Sequence, residues 1–227
     1  MSLPFWNEID WFPILLSFRV AAMATLIALV IGLSCGWVLA RKRFWGKEFL
    51  DSLITLPLVL PPTVLGYYLL VMLGNRSPIG QFIQNTFGTR LTFTVTAAVI
   101  AASIHALPLF VKAVRAAFEQ VSPQLEQAAR LMGASEWRVF RTVTLPLGAR
   151  TVLAATTLAF ARALGDFGVT IMIAGNIPGK TQTAAVAIYD AVQAGKDEQA
   201  GAMVLIVSIL AILLLYITNR ISAKALA

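Results

Sequence analysis

The sequence is short of charge, of cysteine and of histidine. Only 13% of its 227 residues are Asp, Glu, Lys or Arg, about half the share of a soluble globular chain. Its single cysteine, Cys35, excludes a disulfide framework within one chain and says nothing of redox compartment. Inside an apolar run, a lone cysteine reads as a small hydrophobe. One histidine, His105, cannot build a metal site of the usual three or four ligands. It reads instead as a buried, hydrogen-bonded histidine. No Lys or Arg precedes Arg19, so the N-terminal stretch lacks the basic region of a secretory signal. The first apolar run is also too long for a signal core and is expected to be a retained span. Arg162, Asp166 and His105 form no recognisable nucleophile–base set, so no catalytic residue is assigned. The segment Gly175–Thr181 (GNIPGKT) imitates a phosphate-binding loop, but the first glycine of that pattern would fall on Ala174. It is expected to be a turn on the outer side, near a binding-protein interface.

Apolar residues make up 58% of the chain, mean hydropathy is +0.78, and the formal charge is +7. That much apolar surface has to face lipid or other membrane helices. A bilayer core takes about 20 apolar residues of helix. Five segments qualify, at about 14–40, 53–73, 93–111, 151–174 and 202–218. The reading is therefore all-α: a polytopic membrane protein of about five transmembrane helices, residues 1–227 forming one domain. Trp6, Trp11, Trp37 and Trp45 stand near span ends, as interfacial anchors do. Arg19 is expected to snorkel to the outer interface.

Basic residues concentrate in alternate loops. Arg41, Lys42, Arg43 and Lys47 follow the first span. Lys112, Arg115, Arg130, Arg138, Arg141 and Arg150 follow the third, and Arg220 and Lys224 the fifth. The other loops hold only Arg76, Arg90, Lys180 and Lys196. The positive-inside rule then predicts the N-terminus outside and the C-terminus in the cytoplasm.

The loop after the third span is long and not low-complexity. Ser122-Pro123 predicts a helix start and Gly133 its end. Ser135 is expected to cap a second short helix that stops before Pro146. The residues alone leave two readings open: an amphipathic element lying on the membrane, or a docking knob for a partner.

The stretch EQAARLMGASEWRVFRTVTLP resembles the EAA loop of ABC importer permeases. The family pattern is E-A-A, three residues, G, nine residues, I-x-L-P. Here Gln127-Ala128-Ala129, Gly133 and Val143-Thr144-Leu145-Pro146 occupy its positions. Gln127 replaces the glutamate, with Glu126 just before it, and Val143 replaces isoleucine. LPLVLPPTVLGYYLL and LAFARALGDFGVTIMIAGNIPGKTQT are similar to the molybdate permease subfamily, and the resemblance covers nearly the whole chain.

It implies a type I ABC importer transmembrane domain in a bacterial inner membrane. The coupling loop, about 122–146, would touch a cytoplasmic ATPase through Glu126, Gln127, Ala128, Ala129, Gly133, Val143, Leu145 and Pro146. The implied partners are a second copy of the chain, two ATPase subunits that bind ATP and Mg²⁺, and an oxyanion-binding protein. No cofactor is expected on this chain. Molybdate or tungstate is the expected cargo, with sulfate or thiosulfate as alternatives. An ATP-independent transporter is the rival class.

Residues within two spans are expected at the path or a gate. Pro57, Pro61 and Pro62 interrupt the second span, as a packing kink or as path-lining backbone, and Thr63 beside them, with Tyr67 and Tyr68, offers a hydroxyl donor to an oxyanion. Arg162 and Asp166, four apart, are expected to share a helix face and neutralise one another, with gating as the alternative.

Overall fold

The computed structural model describes residues 10–224, and among them every regular element is helical. The helices are α1 (Phe12–Arg41), α2 (Lys47–Val59), α3 (Pro62–Leu73), α4 (Pro78–Phe87), α5 (Val95–Glu119), α6 (Pro123–Leu131) and α7 (Glu136–Val139). A π-helical segment (Phe140–Thr144) joins α7 to α8 (Leu145–Leu164), which is followed by α9 (Gly168–Ala174), α10 (Ala184–Gln193) and α11 (Asp197–Lys224). Four helical stretches are long and apolar enough to cross a membrane, and the bent pair α2–α3 makes a fifth. Trp6 lies outside the described residues.

Small residues set the packing of the centre. Along α1, Ala21, Ala24, Ala28, Gly32 and Gly36 recur every three or four positions and form one buried face. It meets Ala98, Ala101, Ala102 and Ala106 on α5. A Cβ on Gly32 would run into the Phe110 ring, and one on Gly36 would lie 2.6 Å from Val114 Cγ1. Further along α5, Gly148 of α8 sits against Phe118, and Ala155, Ala159 and Ala163 are buried at the same spacing along α8. Small residues let backbones approach where lipid gives no hydrophobic drive between helices. As a result α5 is the central helix, with 67% of its most apolar stretch buried, against 17% for α11. The exposed face of α11 carries Leu205, Ile209, Ile212 and Leu213.

Two expected spans are broken. The second divides at Leu60–Pro61, where extended backbone turns α2 and α3 through 113°. Pro61 and Pro62 cannot donate amide bonds, and a residue before proline leaves the α region. The fourth span begins earlier than expected and stops at Leu164, where the Gly165 amide caps Ala161 O. Gly165–Phe167 separates it from α9.

The second loop helix does not end before Pro146. The Leu145 amide bonds back to Phe140 O, a π-type i→i+5 link. That wider turn takes up the missing N–H and the bulk of the proline, so the helix runs on into the membrane. Ser122 does not cap α6; its hydroxyl turns to the Gln124 side chain.

The glycine contacts give a direct test. Gly36→Leu is expected to destabilise by about 1–3 kcal/mol through overpacking against Val114. Gly201→Ala, on α11 with nothing within 4 Å of a new Cβ, is expected to be neutral or slightly stabilising. Thermal denaturation of both variants in the same detergent makes the comparison.

Candidate functional site

The loop between α5 and α8 folds as a compact knob. The end of α6 is a Schellman turn: Ala134 N bonds Ala129 O at 3.1 Å and Gly133 N bonds Arg130 O at 2.9 Å. Gly133 has φ +83°, a backbone that any side chain would strain. Ser135 then caps α7, accepting from Arg138 N. Arg130 reaches across to Glu136 at 2.7 Å, and this hydrogen bond holds the Arg130 guanidinium above its ordinary value. Both side chains are well exposed, so the pair adds little to stability.

Glu126 departs from the expected partner contact: it is only 3% exposed. Its Oε1 accepts from Arg41 Nε at 3.0 Å and from the Thr144 hydroxyl at 2.6 Å, and Arg130 approaches Oε2 at 3.5 Å. Arg41 also donates to Val121 O at 2.9 Å. The end of α1, the start of the knob and the base of α8 are thus tied through one carboxylate. The physical reason is its position: the face of α6 that carries Glu126 and Ala129 is the one turned onto the helices. Phe140 adds an apolar joint, packing on Trp37 of α1, Phe118 of α5 and Trp137 of α7 at centroid distances of 6.0, 5.8 and 5.6 Å. Lys112 and Arg115 of α5 hold Asp51 of α2 at 2.8 and 3.1 Å.

Outward, the knob shows Leu125, Gln127, Ala128, Leu131, Met132, Gly133 and Trp137. Leu131 is 90% and Met132 82% exposed. Of the other motif residues, Pro146 is exposed, Val143 and Leu145 are half-buried and Ala129 is buried.

The second region lies where the two broken spans meet. A Cβ on Gly168 would stand 2.6 Å from Pro62 Cβ, and one on Gly66 would stand 2.6 Å from Met172 Cβ. The breaks at Leu60–Pro61 and Gly165–Phe167 are therefore neighbours, and Pro61, Pro62 and Thr63 are exposed there. Arg162 and Asp166 do not pair directly. The helix ends at Leu164, so the i,i+4 geometry never forms. His105 of α5 stands between them instead. Its Nδ1 lies 2.6 Å from Asp166 Oδ1, and its Nε2 meets an Arg162 N–H. A guanidinium can only donate. Nε2 is therefore the acceptor, and the imidazole proton sits on Nδ1 and donates to Asp166. The second oxygen of Asp166 accepts from the Thr170 amide at 3.0 Å and hydroxyl at 2.5 Å. His105, Asp166 and Thr170 are buried, while Arg162 is half-buried. Among the described residues, no cluster of His, Cys, Asp and Glu is suited to a metal ion.

Residues 28–227 match the binding-protein-dependent transport system inner membrane components. The chain is 46% identical to the molybdenum transport system permease protein of Escherichia coli K12, over 88% of this chain and 87% of that protein. It is 42% identical to a putative molybdenum transport system permease protein of Bacillus subtilis 168, over 92% of each. A sulfate transport system permease protein of Salmonella typhimurium LT2 is 31% identical over 97% of this chain and 80% of that one. The fold matches an inward-facing methionine ABC transporter with TM-score 0.76 and 18% identity, over 99% of both chains. It also matches an alginate ABC transporter in complex with its periplasmic protein, with TM-score 0.78 and 14% identity, over 99% of this chain and 84% of that one.

Breaking the clamp leaves half-buried Arg41 and the buried Thr144 hydroxyl without their acceptor. Glu126→Ala is expected to cost about 1–3 kcal/mol, whereas exposed Gln127→Ala stays within about 0.5 kcal/mol. Thermal unfolding, with limited proteolysis of the knob, separates the two.

Proposed function

The chain belongs to the binding-protein-dependent transport system inner membrane components, and from that premise we propose that it is the permease of an ATP-driven importer whose cargo is molybdate. The observation that carries this reading is the knob. Its exposed tip, Leu131 and Met132, is apolar, while its base is fastened to α1, α5 and α8 by Glu126 and Phe140. An apolar tip on a stiff base suits a piece that seats in a partner and transmits its displacement. The partner is a cytoplasmic ATPase, which holds ATP and Mg²⁺; this chain binds no cofactor and performs no chemistry. The contact surface is Gln127, Ala128, Gly133 and their exposed neighbours, with Glu126, Ala129, Val143, Leu145 and Pro146 shaping it from behind.

Two copies of the chain assemble around the path, with the N-terminus outside and the C-terminus in the cytoplasm of a bacterial inner membrane. ATP binding closes the ATPase pair, the knobs follow, and the helices fastened to them rock to open outward. A soluble oxyanion-binding protein then delivers the anion, and hydrolysis restores the inward state. The path passes the junction of the broken spans, beside Pro61, Pro62, Thr63, Arg162 and Asp166. Backbone freed from helical bonding is tolerated at membrane depth where it lines such a cavity. Greater identity to molybdenum permeases than to sulfate permeases supports molybdate over sulfate or thiosulfate. Tungstate, of the same charge and shape, shares the path.

Proteoliposomes holding this chain with its ATPase and binding protein test the reading. Molybdate uptake is expected to require ATP and to resist excess sulfate. Leu131→Asp with Met132→Asp is expected to lower ATPase retention and uptake at least about ten-fold, the loss of a small apolar contact, without lowering thermal stability. Uptake that persists without the ATPase would instead support a gradient-driven transporter. Full competition by sulfate would keep the mechanism and change the cargo.

A further inference from the structure

We propose that His105, backed by Asp166, is an internal acceptor that competes with the transported tetrahedral oxyanion for the Arg162 guanidinium. The proposal rests on the transport reading above and adds to it the means by which the anion is let go.

Arginine within a membrane span is costly and is normally met by a counter-charge. Here the carboxylate that could serve, Asp166, is turned away. One of its oxygens faces His105 and the other is taken by Thr170. Among the described residues, Arg162 has a single side-chain bond, to the imidazole Nε2 of His105, and no carboxylate pair. A bidentate arginine–carboxylate bond would have consumed the guanidinium. A single bond to a neutral acceptor leaves its other donors unmatched.

The location of those donors matters. His105 and Asp166 are 4% and 3% exposed, whereas Arg162 is half-buried. Leu158, one turn before it on α8, is 53% exposed, and Gly165 after it is exposed as well. The network therefore begins in the core at Thr170 and ends in a guanidinium at the accessible edge of α8, beside the junction of the broken spans.

A tetrahedral dianion offers two oxygens to one guanidinium, in charge-assisted bonds stronger than a bond to imidazole. It displaces His105 when it arrives. When the anion moves on, the imidazole takes the guanidinium back, so no bare arginine remains in a low-dielectric site. Binding must be firm enough to admit the anion and weak enough to release it. An acceptor already in place lowers the net affinity by the strength of the bond that the anion has to break. His105 is thus a positioning residue acting through Arg162.

The test measures retention of labelled molybdate, and in parallel labelled sulfate, by the purified permease–ATPase complex without binding protein. ATP-driven uptake by the same preparations is recorded alongside. His105→Leu combined with Asp166→Asn removes the acceptor without leaving a buried carboxylate unpaired. It is expected to tighten anion retention about five- to ten-fold, the worth of one hydrogen bond, while slowing uptake. His105→Gln, whose side-chain oxygen can accept, is expected to restore retention towards the wild-type value. Arg162→Gln is expected to abolish retention in every background. Unchanged retention in the His105→Leu, Asp166→Asn variant, or tight retention that survives Arg162→Gln, overturns the proposal. Absence of ATP-driven uptake in the wild type would overturn the transport reading itself, a separate result.

Discussion

Glu126 is a carboxylate with almost no water around it, and the arrangement at the base of the knob follows from that. A buried charge is tolerable only when paired and hydrogen-bonded. Arg41 arrives from α1, Thr144 from the π-helical segment and Arg130 from the next turn of α6. Three pieces of chain far apart in sequence are thereby required to stay together. Phe140 repeats the constraint in apolar form, meeting rings from α1, α5 and α7. A knob held only by its chain ends would bend when pushed. One held by an ion pair and an aromatic joint moves the helices behind it.

The same logic governs the middle of the molecule with different groups. Breaking a helix within the membrane exposes backbone that lipid cannot satisfy. The two breaks lie side by side, with α3 and α9 brought close through Gly66 and Gly168. Asp166 accepts the Thr170 amide near the start of α9 and also holds His105, so one carboxylate serves both the backbone break and the side-chain network.

Much of this was legible in the sequence, in proportion to how local the physics is. Apolar runs of sufficient length marked the membrane helices, the proline cluster marked the broken one, and Gly133 marked the end of α6. What remained hidden needed distance. Arg41 read as one more basic residue of a loop, because nothing near it in sequence names Glu126 as its partner. Ser122 and Ser135 look equally good as caps, yet only Ser135 performs that role. The pairing of Arg162 with Asp166 failed for a local reason: Gly165 ends the helix between them, and four residues of spacing share a face only while the helix lasts. His105 was the missing member, on another helix. The cost of leaving three polar groups unmatched in one apolar region was the available signal.

The π-helical turn at Phe140–Thr144 bears on how such a chain can change over time. A π turn is an α-helical stretch with one residue added, and each residue of an α-helix turns its neighbours by about 100°. Phe140 at the start of that turn packs on Trp37 and Phe118, and Thr144 at its end is buried, as are Gly148 and Val152 beyond it. Losing one residue there would rotate the whole of α8 against the knob, taking Arg162 off the edge it occupies. The connection is therefore intolerant of length changes in a way that an ordinary loop is not: its residue count sets the phase between the knob and the interior of the molecule.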